Sequence, residues 1–127
     1  MIATVAFLGV TVHGQRQVFP GAGTLPFSSA TKADGLIYVA GTLAQEGDIK
    51  AQTKKVLDDM GAILTKAGSS LANVAAVHVY VKNAADVAGM TEVWRTAFPK
   101  DPPARTTFQA AGLVAGARVE IDAIATL

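Results

Sequence analysis

The apolar residues of this chain change period abruptly near its middle, and that change restricts the fold more than any other feature. Ile49, Val56, Leu57, Met60, Ile63, Leu64 and Ala67 recur at spacings of three, four and seven, drawing one stripe along a helix. Lys54, Lys55, Asp58 and Lys66 fall off the stripe. Asp48 stands at its start and Gly68 just past its end, where glycine takes the left-handed conformation cheaply. Shortly afterwards Val74 to Lys82 alternates, with Val77, Val79 and Val81 on one face and His78, Tyr80 and Lys82 on the other. That is the pattern of a half-buried strand. A striped helix and a one-faced strand each need cover, and layering one on the other supplies it.

The remaining elements follow from local signals. Arg16 to Phe19 reads as a short strand, broken by Pro20-Gly21-Ala22-Gly23. Ser28 to Ala33 extends into Asp34-Gly35, a hairpin signal, and Leu36 to Ala40 returns as a central strand that Gly41 is expected to end. Asn83 is expected to cap a second helix, with Asp86 three residues on and Val87, Met90, Trp94 and Ala97 as its buried face. Phe98-Pro99 ends it. Ala104 to Gln109 and Arg118 to Leu127 are the last strands; Val119, Ile121, Ala123 and Ala125 share one face of the latter, and Glu120, Asp122 and Ile124 the other. The order β-β-β-α-β-α-β-β predicts a two-layer α+β domain, an approximately six-stranded mixed sheet with both helices on one face. Self-association is the expected cover for the other face.

Composition narrows the function. The chain has 127 residues, enough for one domain, with 11 basic and 10 acidic residues and no cysteine. No basic stripe of the kind nucleic acids require is present. Disulfides, thiolate metal sites and cysteine nucleophiles are excluded. Residues 1–15 form an N-terminal extension whose apolar run from Ile2 to Val12 is as long as the core of an export signal, yet no Lys or Arg precedes it. It reads as an extra strand or packed tail in a cytoplasmic protein, or alternatively as the remnant of a signal for export to the periplasm. It is too short to span a membrane.

The glycines at 21 and 23 lack the strand and helix of a phosphate loop and read as a turn. His13 and His78 lack ligand-spaced neighbours, so no metal site is expected, and His78 reads as a satisfied polar group on a sheet face. The serines at 28, 29, 69 and 70 lack a nucleophile-elbow context. One pair stands out. If the last two strands form an antiparallel hairpin around Gly112 to Gly116, Arg105 and Glu120 fall nearly opposite each other. Spacing alone makes them a cross-strand ion pair worth about 0.2–1 kcal/mol.

Several stretches resemble the Rid (RidA/YjgF) family in order and spacing over residues 16–127. They are LPFSSATKADGLIYVAG at 25–41, AQTKKVLDDMGAILTKAGSSLANV at 51–74, VYVKNAADVAGM at 79–90, and PPARTTF with VEIDAIA near the C-terminus. The resemblance implies a chorismate-mutase-like fold, a homotrimer with ligand clefts between subunits, and hydrolysis of reactive 2-imino acids to 2-keto acids and ammonia without metal or cofactor. The near-neutral charge argues against a nucleic-acid partner, and no membrane partner is expected. In the terms of the resemblance Arg105 grips the substrate carboxylate, Glu120 positions the attacking water, and Thr107 offers a backbone N–H. Phe27 supplies an apolar wall, and Ala40 and Thr91 fall where the family carries polar contacts. Departures from the family pattern lie at Phe27, at Ala40-Gly41-Thr42, at Thr91 and at Thr107, so the supporting polar shell is altered. A non-catalytic trimer binding small carboxylates is the alternative, and a ribonuclease or translation inhibitor a more remote one.

Overall fold

The computed structural model describes residues 15–127. Six strands and two helices run in the expected order: β1 (Gln17–Pro20), β2 (Ser28–Ala33), β3 (Leu36–Leu43), α1 (Ile49–Lys66), β4 (Val74–Val81), α2 (Val87–Ala97), β5 (Ala104–Gln109) and β6 (Val119–Thr126). They form one mixed sheet of order β1-β2-β3-β6-β4-β5 with both helices on one side. The extension at residues 1–15 falls almost entirely outside the described residues.

Local chemistry accounts for the most legible elements. Asp34 and Gly35 turn β2 into β3 with φ of 50° and 77°, the paired positive values that a two-residue hairpin needs. Asp48 caps α1 by accepting from the Ala51 N–H at 2.9 Å. At the other end Gly68 takes φ 86°, and Ser69 N–H bonds back to the Leu64 carbonyl at 2.8 Å. The stripe of α1 meets the inward faces of β3 and β6. Val56, Met60, Leu64, Val79, Val81, Met90, Val119 and Ile121 have no exposed surface. Each such side chain contributes about 1.5–3 kcal/mol by leaving water.

Three expectations are corrected. The last two strands are not a hairpin. β6 inserts between β3 and β4 and runs antiparallel to both, while β5 pairs in parallel with β4 at the sheet edge. The chain reaches β5 through α2, and a crossover helix returns a strand parallel to its predecessor. The slot between β3 and β4 takes the strand whose alternate residues are the most deeply buried. Gly41 does not end β3; the strand continues to Leu43 through an irregularity between Val39 and Thr42. Asn83 makes no capping bond. A single 3-10 turn (Ala84–Asp86) precedes α2, and the Asp86 carboxylate instead accepts from Arg118 Nε at 3.1 Å and Nη2 at 2.8 Å. Gln52, buried within α1, accepts from the Arg118 backbone N–H at 2.9 Å and locks the same corner.

Candidate functional site

Pro102 and Pro103 cannot extend a helix, and they deliver the chain into β5. Register sets Arg105 beside Val77, a core residue, so Arg105 points to the helix side of the sheet. Its guanidinium lies over the Trp94 ring, 5.0 Å from the centroid. Nη2 donates to Thr91 Oγ1 at 3.3 Å, and Nη1 lies 3.7 Å from Met90 Sδ. Trp94 thus shapes the site as well as the core, a role its spacing on α2 did not reveal. The cleft above is about 530 Å³ and is lined by Thr91, Trp94, Arg95, Phe98, Pro99, Pro102 and Arg105. Burial pushes the Arg105 guanidinium below its ordinary pKa, and the charge of Arg95 pushes the same way. Among the described residues no carboxylate pairs with either arginine. A half-buried guanidinium over an indole, with no acidic partner, has its N–H donors available to a planar anion.

Thr107 follows on the same face of β5, beside Val79. Its Oγ1 is buried without a hydrogen-bond partner among the described residues.

Glu120 lies elsewhere. It pairs with Tyr80 on β4 and Leu43 on β3, which places it on the sheet face away from the helices. Two strand spacings, about 10 Å, and the thickness of the sheet separate it from Arg105. The expected juxtaposition within one chain is therefore not found, because β4 intervenes and residue parity sends the two side chains to opposite faces. Ala40 and Gly41 sit at the β3 irregularity. A Cβ built on Gly41 would come within 2.3 Å of Glu120 Oε1, so the glycine vacates the space that the carboxylate fills. The Ala40 carbonyl accepts from Thr42 Oγ1 at 3.0 Å. Phe27 is exposed ahead of β2, four strands along the sheet from β5. The structure thus groups Arg105, Thr91 and Thr107 at one edge, Ala40 with Glu120 in the middle of the other face, and Phe27 toward the far edge.

The face of Glu120 also carries a polar network. His78 Nδ1 lies 2.8 Å from Asp122 Oδ1, and Tyr80 donates to Asp122 Oδ2 at 2.7 Å. His78 is therefore a satisfied surface group, as expected. The Tyr80 phenol is pushed up to about 12, chiefly by its hydrogen bond to Asp122, with burial and the charges of Asp122 and Glu120 adding. Tyr80 meets Phe108 edge-on at 4.8 Å, and Tyr38 and Val18 expose further apolar area. No metal-binding cluster of His, Asp and Glu occurs among the described residues, and no helix there is long and apolar enough to cross a membrane.

The six-stranded mixed sheet with two helices matches the fold of solved L-PSP and YjgF proteins, and sequence comparison supplies the family. The family description "Endoribonuclease L-PSP" matches residues 20–127. A RutC family protein of Pyrococcus abyssi is 39% identical over 108 residues, covering 79% of this chain and 85% of the relative. Reactive Intermediate Deaminase A, chloroplastic, of Arabidopsis thaliana is 34% identical over 110 residues, 80% of this chain and 59% of that one. Among solved structures, a YjgF/YER057c/UK114 family member of Mycobacterium tuberculosis superposes with a TM-score of 0.83 at 30% identity, covering 89% of this chain and all of the other. RidA of the Antarctic bacterium Psychrobacter sp. gives 0.77 at 31% identity, covering 87% and 94%. The chain belongs to the L-PSP, or Rid/YjgF, family, and that family includes reactive intermediate deaminases.

Proposed function

We propose that the protein hydrolyses 2-imino acids to 2-keto acids and ammonium, with Arg105 as the carboxylate anchor. The observation that carries this reading is the Arg105 guanidinium, stacked on Trp94, steadied by Thr91 and free of any acidic partner in its cleft. Two parallel N–H bonds to a carboxylate fix orientation as well as charge. The Thr107 backbone N–H is the second contact. An iminium carbon beside a carboxylate is already electrophilic, so positioning is the main task left to the protein. Water adds to C2 and gives one proton to a base, the base returns it to the amino nitrogen, and the C–N bond breaks as the hydroxyl proton leaves to the departing ammonia and the carbonyl forms. The balance is one iminium and one water to one keto acid and one ammonium.

Glu120 is the proposed base, and it lies on the wrong face of its own chain to serve its own Arg105. A homotrimer resolves this. In that assembly Arg105, Thr91 and Thr107 at the β5 edge of one copy meet Glu120, Ala40 and Phe27 of the next, and the exposed face of the sheet is covered by the other copies. The Arabidopsis relative's name is in keeping with this chemistry.

The test generates 2-iminobutanoate in situ with an amino-acid oxidase and lets the protein compete with semicarbazide for it. Wild type should divert the imine, Arg105→Ala should not, and Glu120→Ala should be impaired. Full diversion by Arg105→Ala would refute the mechanism. No diversion by wild type, with binding of 2-oxobutanoate retained, would leave a non-catalytic carboxylate-binding module instead.

A further inference from the structure

Arg105 does not face its cleft alone. Thr91, Trp94, Arg95 and Phe98 fall at helical spacings of three, four and seven along α2, and all four line the cavity. The wall that one copy contributes therefore carries two guanidiniums and no carboxylate, and the single carboxylate that the proposed trimer adds, Glu120 of the next copy, is assigned to the water. The acidic residue nearest along the helix, Glu92, is held by Lys50 at 2.5 Å and is not among the lining residues. Arg95 is exposed, and its charge already reaches Arg105, whose proton affinity it lowers.

We infer that this cleft selects 2-imino acids bearing a second acidic group on the side chain, with Arg95 as the residue that reads that group. The inference rests on Arg105 anchoring the first carboxylate. A monoanion bound to Arg105 leaves Arg95 uncompensated beside it, whereas a dianion offers one carboxylate to each guanidinium. The open cleft of one copy, about 530 Å³, extends from Arg105 past Arg95 and so offers a path for a side chain that ends in a carboxylate. Thr91 and Arg95, one turn apart on α2, set the direction in which such a side chain extends from the Arg105 anchor. In this arrangement Arg95 is assigned the side-chain carboxylate alone, so its effect belongs to substrate choice.

The test measures binding and turnover separately. Calorimetry compares 2-oxoglutarate with 2-oxobutanoate for wild type, Arg95→Gln and Arg105→Ala. Trap competition then compares the imines made from glutamate and from 2-aminobutanoate. Wild type should favour the dicarboxylate in both assays. The preference ratio should fall roughly fivefold in Arg95→Gln, the scale of one exposed ion pair. It should shrink in about 0.5 M salt, where screening is strong. Equal affinity for the two keto acids, or an unaltered ratio in Arg95→Gln, would overturn the inference. Arg95-dependent preference in binding without turnover of either imine would refute the deaminase reading and leave this one standing. Turnover of both imines without preference would do the reverse.

Discussion

Gly41→Ala isolates the positioning of Glu120 from the stability of the fold. A Cβ at this position lies 2.3 Å from Glu120 Oε1, 3.1 Å from Cδ and 3.4 Å from Cγ. To restore ordinary contact the carboxylate must withdraw by about 1 Å, since non-bonded atoms settle some 3.5 Å apart. The displaced group is the end of a flexible side chain, so the strain is about 0.5–1.5 kcal/mol. Loss of glycine freedom in the unfolded chain offsets about 0.4–1 kcal/mol of that. The midpoint of urea unfolding should therefore hardly move. Activity should fall far more, because a shift of about 1 Å in a catalytic group can cost 100-fold. The assay is kcat/KM for imine hydrolysis under trap competition, read beside urea unfolding. A cycle with Glu120→Ala makes the reasoning strict: if Gly41→Ala acts only through Glu120, the double variant matches Glu120→Ala alone. Full activity in Gly41→Ala would refute the role of Glu120. A further large loss in the double variant would show that the glycine acts on something else.

Further outcomes bear on the scaffold. Asp86→Ala removes a carboxylate, 10% exposed in its side chain, that takes two bonds from Arg118; it should cost about 2 kcal/mol in urea unfolding, below the range for fully buried pairs because Arg118 is 39% exposed. A loss under about 0.5 kcal/mol would show that Gln52 alone holds the corner. Leu64→Ala, at a site with no exposed surface, should cost about 2–5 kcal/mol by the same measurement. Tyr80 should ionise near pH 12, which a difference titration at the tyrosinate absorption band between wild type and Tyr80→Phe would locate. Its folded pKa is raised, so the contribution to stability is whole below pH 10 and fades as the pH climbs through about 12. A transition at 10 would mean that the Asp122 bond is absent in solution.

The fold was legible where its causes are local. The α1 stripe, the Asp48 cap and the Asp34-Gly35 turn each depend on residues a few positions apart, and each stands where spacing placed it. Asn83 and Asp86 show the limit. A polar residue before a helix resembles a cap, but the Asp86 carboxylate is claimed by Arg118, 32 residues away, and no local pattern discloses that competitor. Strand pairing is likewise not a local property. Two strands joined by a glycine-bounded loop suggest a hairpin, yet β6 gains more by filling the slot between β3 and β4, where four of its side chains are buried against the helices.

The site divides along the same line. Arg105 could be singled out through the resemblance carried by PPARTTF and VEIDAIA, since spacing alone reads it as half of an ion pair. Its indole platform could not be, since Trp94 at core spacing on α2 looks the same whether or not a guanidinium lies on it. Arg95 was hidden for the opposite reason: an exposed arginine in the last turn of a helix is ordinary until the cavity it borders is known. The relation between Arg105 and Glu120 was misjudged because register counts residues between strands assumed to be neighbours. Once β4 lies between them, parity decides, and parity puts the two groups on opposite faces of one sheet. If both act on one substrate, they must come from different copies. The inactive Arg105→Ala protein and the impaired Glu120→Ala protein should then regain activity when mixed under conditions that exchange subunits. Failure to complement after verified exchange would mean that the two residues do not share a cleft.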